Sequence, residues 1–263
     1  MKKILFIVPP YVNCRDFINP AFNERTVVKK GGTYGSLVTD MPLGLLSMSA
    51  YLKKHAGAEV RLLDFNILLN KLESFDHGSF SELFLDVLSK KEWAEYSPDL
   101  IGISALFTPA YYNTLEAGRA ARELFPSALV VAGGGVPVNM YREIFRDSAC
   151  FDALCYGEGE KPLAALVRAA DKKEFLRTSA SWITREKALK GESFRHDFIY
   201  DLDEIPFYDY GLLNPADYGL SPTISSYASF GDKKHLFHVA TSRGCTHRCC
   251  FCSSHRCSAF RCR

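Results

Sequence analysis

Five short apolar runs, separated by longer stretches with helical spacing, constrain the fold of this chain more than any other feature. Ile4 to Val8, Val60 to Leu63, Leu100 to Ser104, Ala128 to Ala132 and Phe151 to Cys155 are nearly continuous in apolar or small residues. A strand with one wet face alternates apolar and polar residues, whereas a continuous run is expected when helices cover both faces. Parallel neighbours need a long crossover, so runs alternating with helices predict a parallel α/β sheet. The intervening spacing predicts helices over Leu43 to Lys54, Phe80 to Glu95, Asn113 to Phe125, Asn139 to Arg146 and Lys161 to Lys173. Leu163, Leu166, Val167 and Ala170 give the last of these an i, i+3, i+4, i+7 stripe, which is core packing.

The expected fold class is therefore α/β, a five-stranded, doubly wound parallel sheet over residues 1–175. Residues 176–234 read as a linker with a small hairpin around Lys190-Gly191, between Ala180-Ser-Trp-Ile-Thr184 and Ser193 to Phe198. Residues 235–263 stand apart as a terminal segment. With a net charge of +2 and no run of lysine or arginine, the chain offers no groove for nucleic acid. It has no apolar stretch of membrane-spanning length. Its basic start is followed by an apolar run that stops at Pro9-Pro10, too short for a secretory signal, so a reducing cytoplasm is expected for its thiols.

In an open parallel sheet, ligands settle outside the carboxyl ends of the strands. The residues to weigh are those that follow each run: Pro9 and Pro10, then Pro42, Leu43 and Gly44, then Ser104, then Gly133, Gly134 and Gly135, then Gly157 and Glu158. Three consecutive glycines let a backbone approach a bulky ligand, although a plain tight turn has the same composition. No G-x-G-x-x-G follows the first run, so a dinucleotide site is not expected. The third run ends in Ser104 where a phospho-accepting receiver needs an aspartate, and no hydroxyl-rich phosphate loop follows Val8.

Six of the nine cysteines fall between Cys245 and Cys262, and Cys245, Cys249 and Cys252 form a C-x3-C-x2-C array within Thr241-Ser-Arg-Gly-Cys-Thr-His-Arg-Cys-Cys-Phe-Cys252. Three thiolates at this spacing suit three corners of an iron-sulfur cube whose fourth iron stays open to a ligand. A zinc knuckle using His247 and His255 is the alternative, but zinc sites usually pair two short elements across a longer spacer. Cys14, Cys150 and Cys155 read as small buried hydrophobes.

The array resembles that of the radical S-adenosylmethionine (SAM) enzymes. The resemblance implies a [4Fe-4S] cluster on Cys245, Cys249 and Cys252, S-adenosyl-L-methionine chelated by the open iron, and Phe251 beside the adenine. The preceding segments resemble, in order, the cobalamin-binding domain of B12-dependent radical SAM enzymes. They are Lys3-Ile-Leu-Phe-Ile-Val-Pro-Pro10, Pro42-Leu-Gly-Leu-Leu46, Ala58-Glu-Val60, Pro98-Asp-Leu-Ile-Gly-Ile-Ser104, Val130-Val-Ala-Gly-Gly134, Tyr156-Gly-Glu-Gly-Glu160 and Asp201-Leu-Asp-Glu-Ile-Pro206. That family includes methyltransferases and anaerobic magnesium-protoporphyrin monomethyl ester cyclases, and Cys252-Ser-Ser-His255 resembles the cyclase branch. The D-x-H-x-x-G motif that gives cobalt a histidine is absent, and neither His55 nor His77 is suitably placed. The resemblance thus implies base-off cobalamin without a protein histidine, its tail between the sheet and the glycine loops. It also implies a small-molecule substrate and a reductant such as a flavodoxin or ferredoxin.

A TIM-type barrel needs about 250 residues, and about thirty remain after the linker. His235-Leu-Phe-His-Val-Ala240 is expected to be the first barrel strand, with residues from about 236 onward poorly ordered or docked opportunistically, and the chain inactive alone. Two other readings stay open: a cobalamin-binding module without catalysis, and a flavodoxin-like scaffold with a structural zinc tail.

Overall fold

The computed structural model describes residues 2–218 except 23 and 38, together with residues 240, 242–247, 249 and 261–262. Its centre is a six-stranded sheet ordered β4-β1-β5-β6-β7-β8, made of β1 (Lys3–Val8), β4 (Glu59–Asp64), β5 (Leu100–Ser104), β6 (Leu129–Gly133), β7 (Ala153–Cys155) and β8 (Trp182–Ile183). The first five run parallel, Ile4 pairing with both Val60 and Leu100, while β8 is antiparallel to β7 through Leu154–Ile183 and Cys155–Trp182. Strand order reverses between β1 and β5, so the loops after these two strands diverge around a crevice.

Alternation along the strands sorts the core into two layers. Ile4, Phe6, Val8, Leu100, Val131, Ala153, Cys155 and Trp182 pack on α2 (Leu43–Ala56) and α9 (Glu160–Arg168). Leu5, Ile7, Ile101, Ile103, Val130, Ala132, Leu154 and Ile183 face the other way. There they meet α1 (Cys14–Ile18), α3 (Phe65–Lys71), α4 (Phe80–Leu88), α5 (Lys91–Tyr96) and α6 (Tyr111–Leu124). Of the cysteines expected inside, Cys150 and Cys155 are buried and Cys14 is half-buried.

The structure corrects several expectations. The sheet is mixed and six-stranded, because Trp182 and Ile183, placed above in the linker, form its antiparallel edge. No hairpin turns at Lys190-Gly191; the segment is the helix α11 (Arg185–Lys190). Thr184 caps its start by accepting from the Lys187 amide, and Gly191, at φ 67°, ends it in the left-handed region. The helix expected over 80–95 is two, α4 and α5, interrupted after Leu88 where Ser89 caps. The helix expected over 139–146 is α8 (Tyr141–Asp147), preceded by the short α7 (Gly135–Asn139). The stripe over 161–173 ends at Arg168, and Asp171 accepts from the Glu174 amide to start α10 (Lys172–Thr178). The polar segment before Pro42 holds α1 and a hairpin of β2 (Thr26–Lys29) and β3 (Gly32–Gly35), with Tyr34 stacked on Phe17. The barrel strand expected over 235–240 lies outside the described residues except for Ala240.

The edge strand is held by one ammonium. Lys187 is 5% exposed, and its Nζ donates to the carbonyls of Leu176 (2.8 Å), Ser179 (2.6 Å) and Trp182 (3.1 Å), tying α10, the turn and β8 together. Desolvation lowers its pKa. Lys187→Met keeps the apolar stem but leaves three carbonyls short of a donor, so a loss of about 2 kcal/mol is expected. Urea unfolding followed by the fluorescence of Trp182 and Trp93 measures it, and an unchanged midpoint would contradict this role.

Candidate functional site at the carboxyl ends of the strands

A cavity of about 360 Å³ opens where the parallel strands end, on the α2 and α9 side of the sheet. Its floor is Phe6, Gly102, Val131, Gly133, Cys155 and Trp182, one residue or two from each of five neighbouring strands. Gly44, Leu45 and Met48 of α2 and Leu163 of α9 form its sides, and Ser104, Gly157, Glu158 and Tyr208 stand at its mouth. The lining is mostly apolar, with Glu158, Glu160 and Arg243 as its charged members, the usual build of a small-molecule pocket.

Glycines set its depth. An added Cβ at Gly133 would meet only Cys155 Cβ, at 3.6 Å, and at Gly44 nothing within 4 Å. Larger side chains at either position would therefore grow into free space. Gly134 differs: its φ of 98° and an Ala105 carbonyl oxygen 2.6 Å from an added Cβ require glycine. Burial pushes the Cys155 thiol up to about 12, with Glu160 and Asp197 adding to the effect, so it stays protonated on the floor.

Of the residues expected to contact a ligand, Leu43, Gly44, Ser104, Gly133, Gly134, Gly157 and Glu158 line this cavity. Pro9, Pro10, Pro42 and Gly135 do not. The Pro9-Pro10 turn is drawn elsewhere: Asn66 Nδ2 donates to the Pro9 carbonyl (3.1 Å), and Asn113 Nδ2 donates to the carbonyls of Pro10 (2.8 Å) and Val12 (2.7 Å). The Pro42 carbonyl is spent on the first turn of α2, accepting from the Leu45 and Leu46 amides. His55 lies against the Glu204 carbonyl and His77 beside Asp86. His196 is stacked between Tyr156 and Phe198 behind Gly157.

Ala240, Arg243 and Gly244 complete the wall, so the segment that carries the cysteine array sits on the cavity. Arg243 Nη2 lies 2.5 Å from Glu160 Oε1 and donates to Ser47 Oγ (2.8 Å), while Nη1 is 3.3 Å from Glu158 Oε2. Burial pulls the guanidinium down, but Glu160 and Glu158 outweigh it and its pKa ends raised. Cys245 and Cys249 are exposed and free, and the His247 amide donates to Cys245 Sγ at 3.4 Å. Cys252 and Phe251 lie outside the described residues. Arg243, Ser47 and Glu160 were missed in the sequence, although Arg243 stands two residues before the first cysteine and Glu160 ends the Gly-Glu-Gly-Glu run.

A second polar group borders the crevice. Asp64, at the end of β4, accepts from the Asn66 amide (2.9 Å), Asn66 Nδ2 (3.1 Å) and the Tyr218 hydroxyl (3.3 Å). Burial pushes its carboxyl from 3.8 up to about 6, against those hydrogen bonds. Burial and the nearby Asp64 and Asp40 likewise raise Tyr11.

These features define an α/β ligand-binding domain with a cysteine-bearing segment docked on its cavity. Residues 38–167 match the family model of the B12 binding domain. The chain is 28% identical over 97% of its length to an uncharacterized methyltransferase of Pyrococcus horikoshii, 46% of which is covered. Over 66% of its length it is 29% identical to the anaerobic magnesium-protoporphyrin IX monomethyl ester cyclase of Cereibacter sphaeroides, 28% of which is covered. Over 81% it is 25% identical to the cytidylyl-2-hydroxyethylphosphonate methyltransferase of Streptomyces wedmorensis, 44% of which is covered. Residues 38–167 are thus similar to a B12 binding domain, and the chain is homologous at low identity to methyltransferases and a cyclase and spans less than half the length of these relatives. No helix among the described residues is long and apolar enough to cross a membrane.

The raised Asp64 pKa predicts a sign. The folded state holds this proton more tightly than the unfolded chain, so the contribution to stability is full below 3.8 and is lost as pH rises through about 6. Asp64→Asn should flatten the fall in melting temperature between about pH 4 and about pH 7. Thermal unfolding of both proteins across that range checks it; parallel curves would refute the assignment.

Proposed function

We propose that this chain is the cobalamin-binding and cluster-bearing portion of a B12-dependent radical SAM enzyme of the methyltransferase or cyclase kind. The observation that carries the reading is a glycine-floored cavity at the carboxyl ends of the strands, lined mostly by the stretch that matches the B12 binding domain, with the cysteine segment on its mouth. Cobalamin fits this site in one respect that the residues themselves supply: Gly133 and Gly44 leave free the space that a Cβ would begin to fill. The apolar floor suits the aromatic base of a nucleotide tail, detached from cobalt, with no protein histidine in its place. Ser104 and the rim at Gly157 and Glu158 would orient the polar linker of the tail. When bound, cobalamin supplies a centre for methyl transfer or radical chemistry, and the cluster supplies the electron that cleaves S-adenosyl-L-methionine.

Cys245, Cys249 and Cys252 would hold a [4Fe-4S] cluster, with Phe251 beside the adenine. One observation supports the first two: both thiols are exposed and free. The whole enzyme's substrate is a small molecule, and its reductant a flavodoxin or ferredoxin. No nucleic acid and no membrane takes part, and the setting is cytoplasmic.

Anaerobic reconstitution tests the reading. The purified chain should retain hydroxocobalamin through gel filtration, with a base-off spectrum after reduction, and should bind iron and sulfide rather than stoichiometric zinc. Gly133→Val, which projects two methyl groups toward the cavity, should weaken cobalamin binding by about tenfold or more without lowering the melting temperature. Retention of no corrinoid by the wild-type chain would sink the proposal.

A further inference from the structure

One guanidinium joins three parts of this molecule that the chain keeps far apart. Ser47 belongs to α2, Glu158 to the loop after β7 and Glu160 to the first turn of α9, and all three meet Arg243. Ser47 and Glu160 are 0% and 3% exposed, and Ser47 Oγ also donates to Glu160 Oε1 at 2.6 Å. A carboxylate this deep is costly unless a cation faces it. A serine hydroxyl supplies a hydrogen bond to Glu160 but no charge; Arg243 supplies the charge. The planar fork of arginine reaches two carboxylates at once, which the single ammonium of a lysine does less well. Arg243 lies outside the stretch that matches the B12 binding domain and two residues before Cys245.

We propose that Arg243 is a positioning residue that latches the first cysteine of the array to the mouth of the cavity. This rests on the reading of the cavity as a cobalamin site. Glu158, Glu160, Arg243 and Gly244 are all part of the wall, so undocking Arg243 opens the side on which an occupant leans. An occupant that touches this wall gains those contacts only while Arg243 is docked. It therefore favours docking, and by reciprocity docking tightens the cavity. The cysteine segment and the cavity are energetically one unit, and Arg243 is the joint.

Hydrogen–deuterium exchange with mass spectrometry on the full chain reads the latch directly, with and without hydroxocobalamin. Without corrinoid, Arg243→Gln should speed amide exchange across 242–247 by about tenfold or more while β1 stays protected, and Arg243→Lys should restore only part of the protection. The double variant Glu160→Gln, Arg243→Gln removes both charges, should fold, and should still release 242–247. With hydroxocobalamin, the wild-type segment should slow by about threefold or more. The Arg243→Gln segment should not slow, and its corrinoid dissociation constant should rise by about tenfold. Unchanged exchange in both Arg243 variants would overturn the latch, and corrinoid binding that leaves 242–247 unprotected in the wild type would overturn the coupling. A wild-type chain that binds no corrinoid, yet loosens 242–247 on Arg243→Gln, would overturn the cobalamin reading and support the latch.

Discussion

Covering the sheet on both faces is the constraint from which the rest of this structure follows. β1 sits between β4 and β5, and from Ile4 to Val8 no side chain is more than 1% exposed. Such a strand supports neighbours on each side and a helical layer on each face, and parallel pairing directs every crossover back to the same end. The loops after β1, β5, β6 and β7 must then gather at one rim. Burying each large apolar side chain contributes about 1.5–3 kcal/mol, so the position of that rim is fixed by the core and not by the loops. The loops can accordingly be rich in glycine, and the cavity can remain open, without loosening the frame.

The continuity of the apolar runs made this frame legible in the sequence. Ile4 to Val8 and Leu100 to Ser104 lie in β1 and β5 within a residue of their ends. Trp182-Ile183 was not legible as a sheet strand, because an edge of two residues carries no periodicity and its pairing with β7 is a tertiary event. Helix breaks at Ser89 and at Ala169-Ala170-Asp171 were hidden for a related reason. Each continues an apolar stripe across the break, and after the second the Asp171 carboxylate starts a new helix by accepting from the Glu174 amide. The rim was half legible: glycine and serine at strand ends mark where backbone can approach a ligand, as Gly133 and Ser104 do. Prolines there mark only a turn, and the amides of Asn66 and Asn113 decide which way Pro9 and Pro10 face.

Residues from beyond the B12-binding stretch complete the cavity that lies at its centre. Trp182 provides floor, Tyr208 and Ala240 provide wall, and Arg243 provides charge. The connecting segment is fastened to α2 for this purpose: Asp209 accepts from Ser49 Oγ (2.6 Å) and pairs with Lys53 (2.5 Å). Tyr218, 4% exposed, packs with Met41 and Ile67. Packing is continuous across residue 175, where Leu166, Leu176 and Trp182 share one buried cluster.

The chemistry at Arg243 shows what kind of joint this is. A buried ion pair is a poor source of stability, since desolvating both partners consumes most of their attraction, and an apolar contact of similar volume does as well or better. Apolar contacts, however, tolerate sliding, whereas a guanidinium facing Glu158, Glu160 and Ser47 has one satisfactory register. Shifting the segment by a single residue would put Ser242 or Gly244 against a buried carboxylate and leave it without a counter-charge. The arrangement thus exchanges stability for position. Position is what a cysteine two residues further along needs if a cluster is to face whatever occupies the cavity.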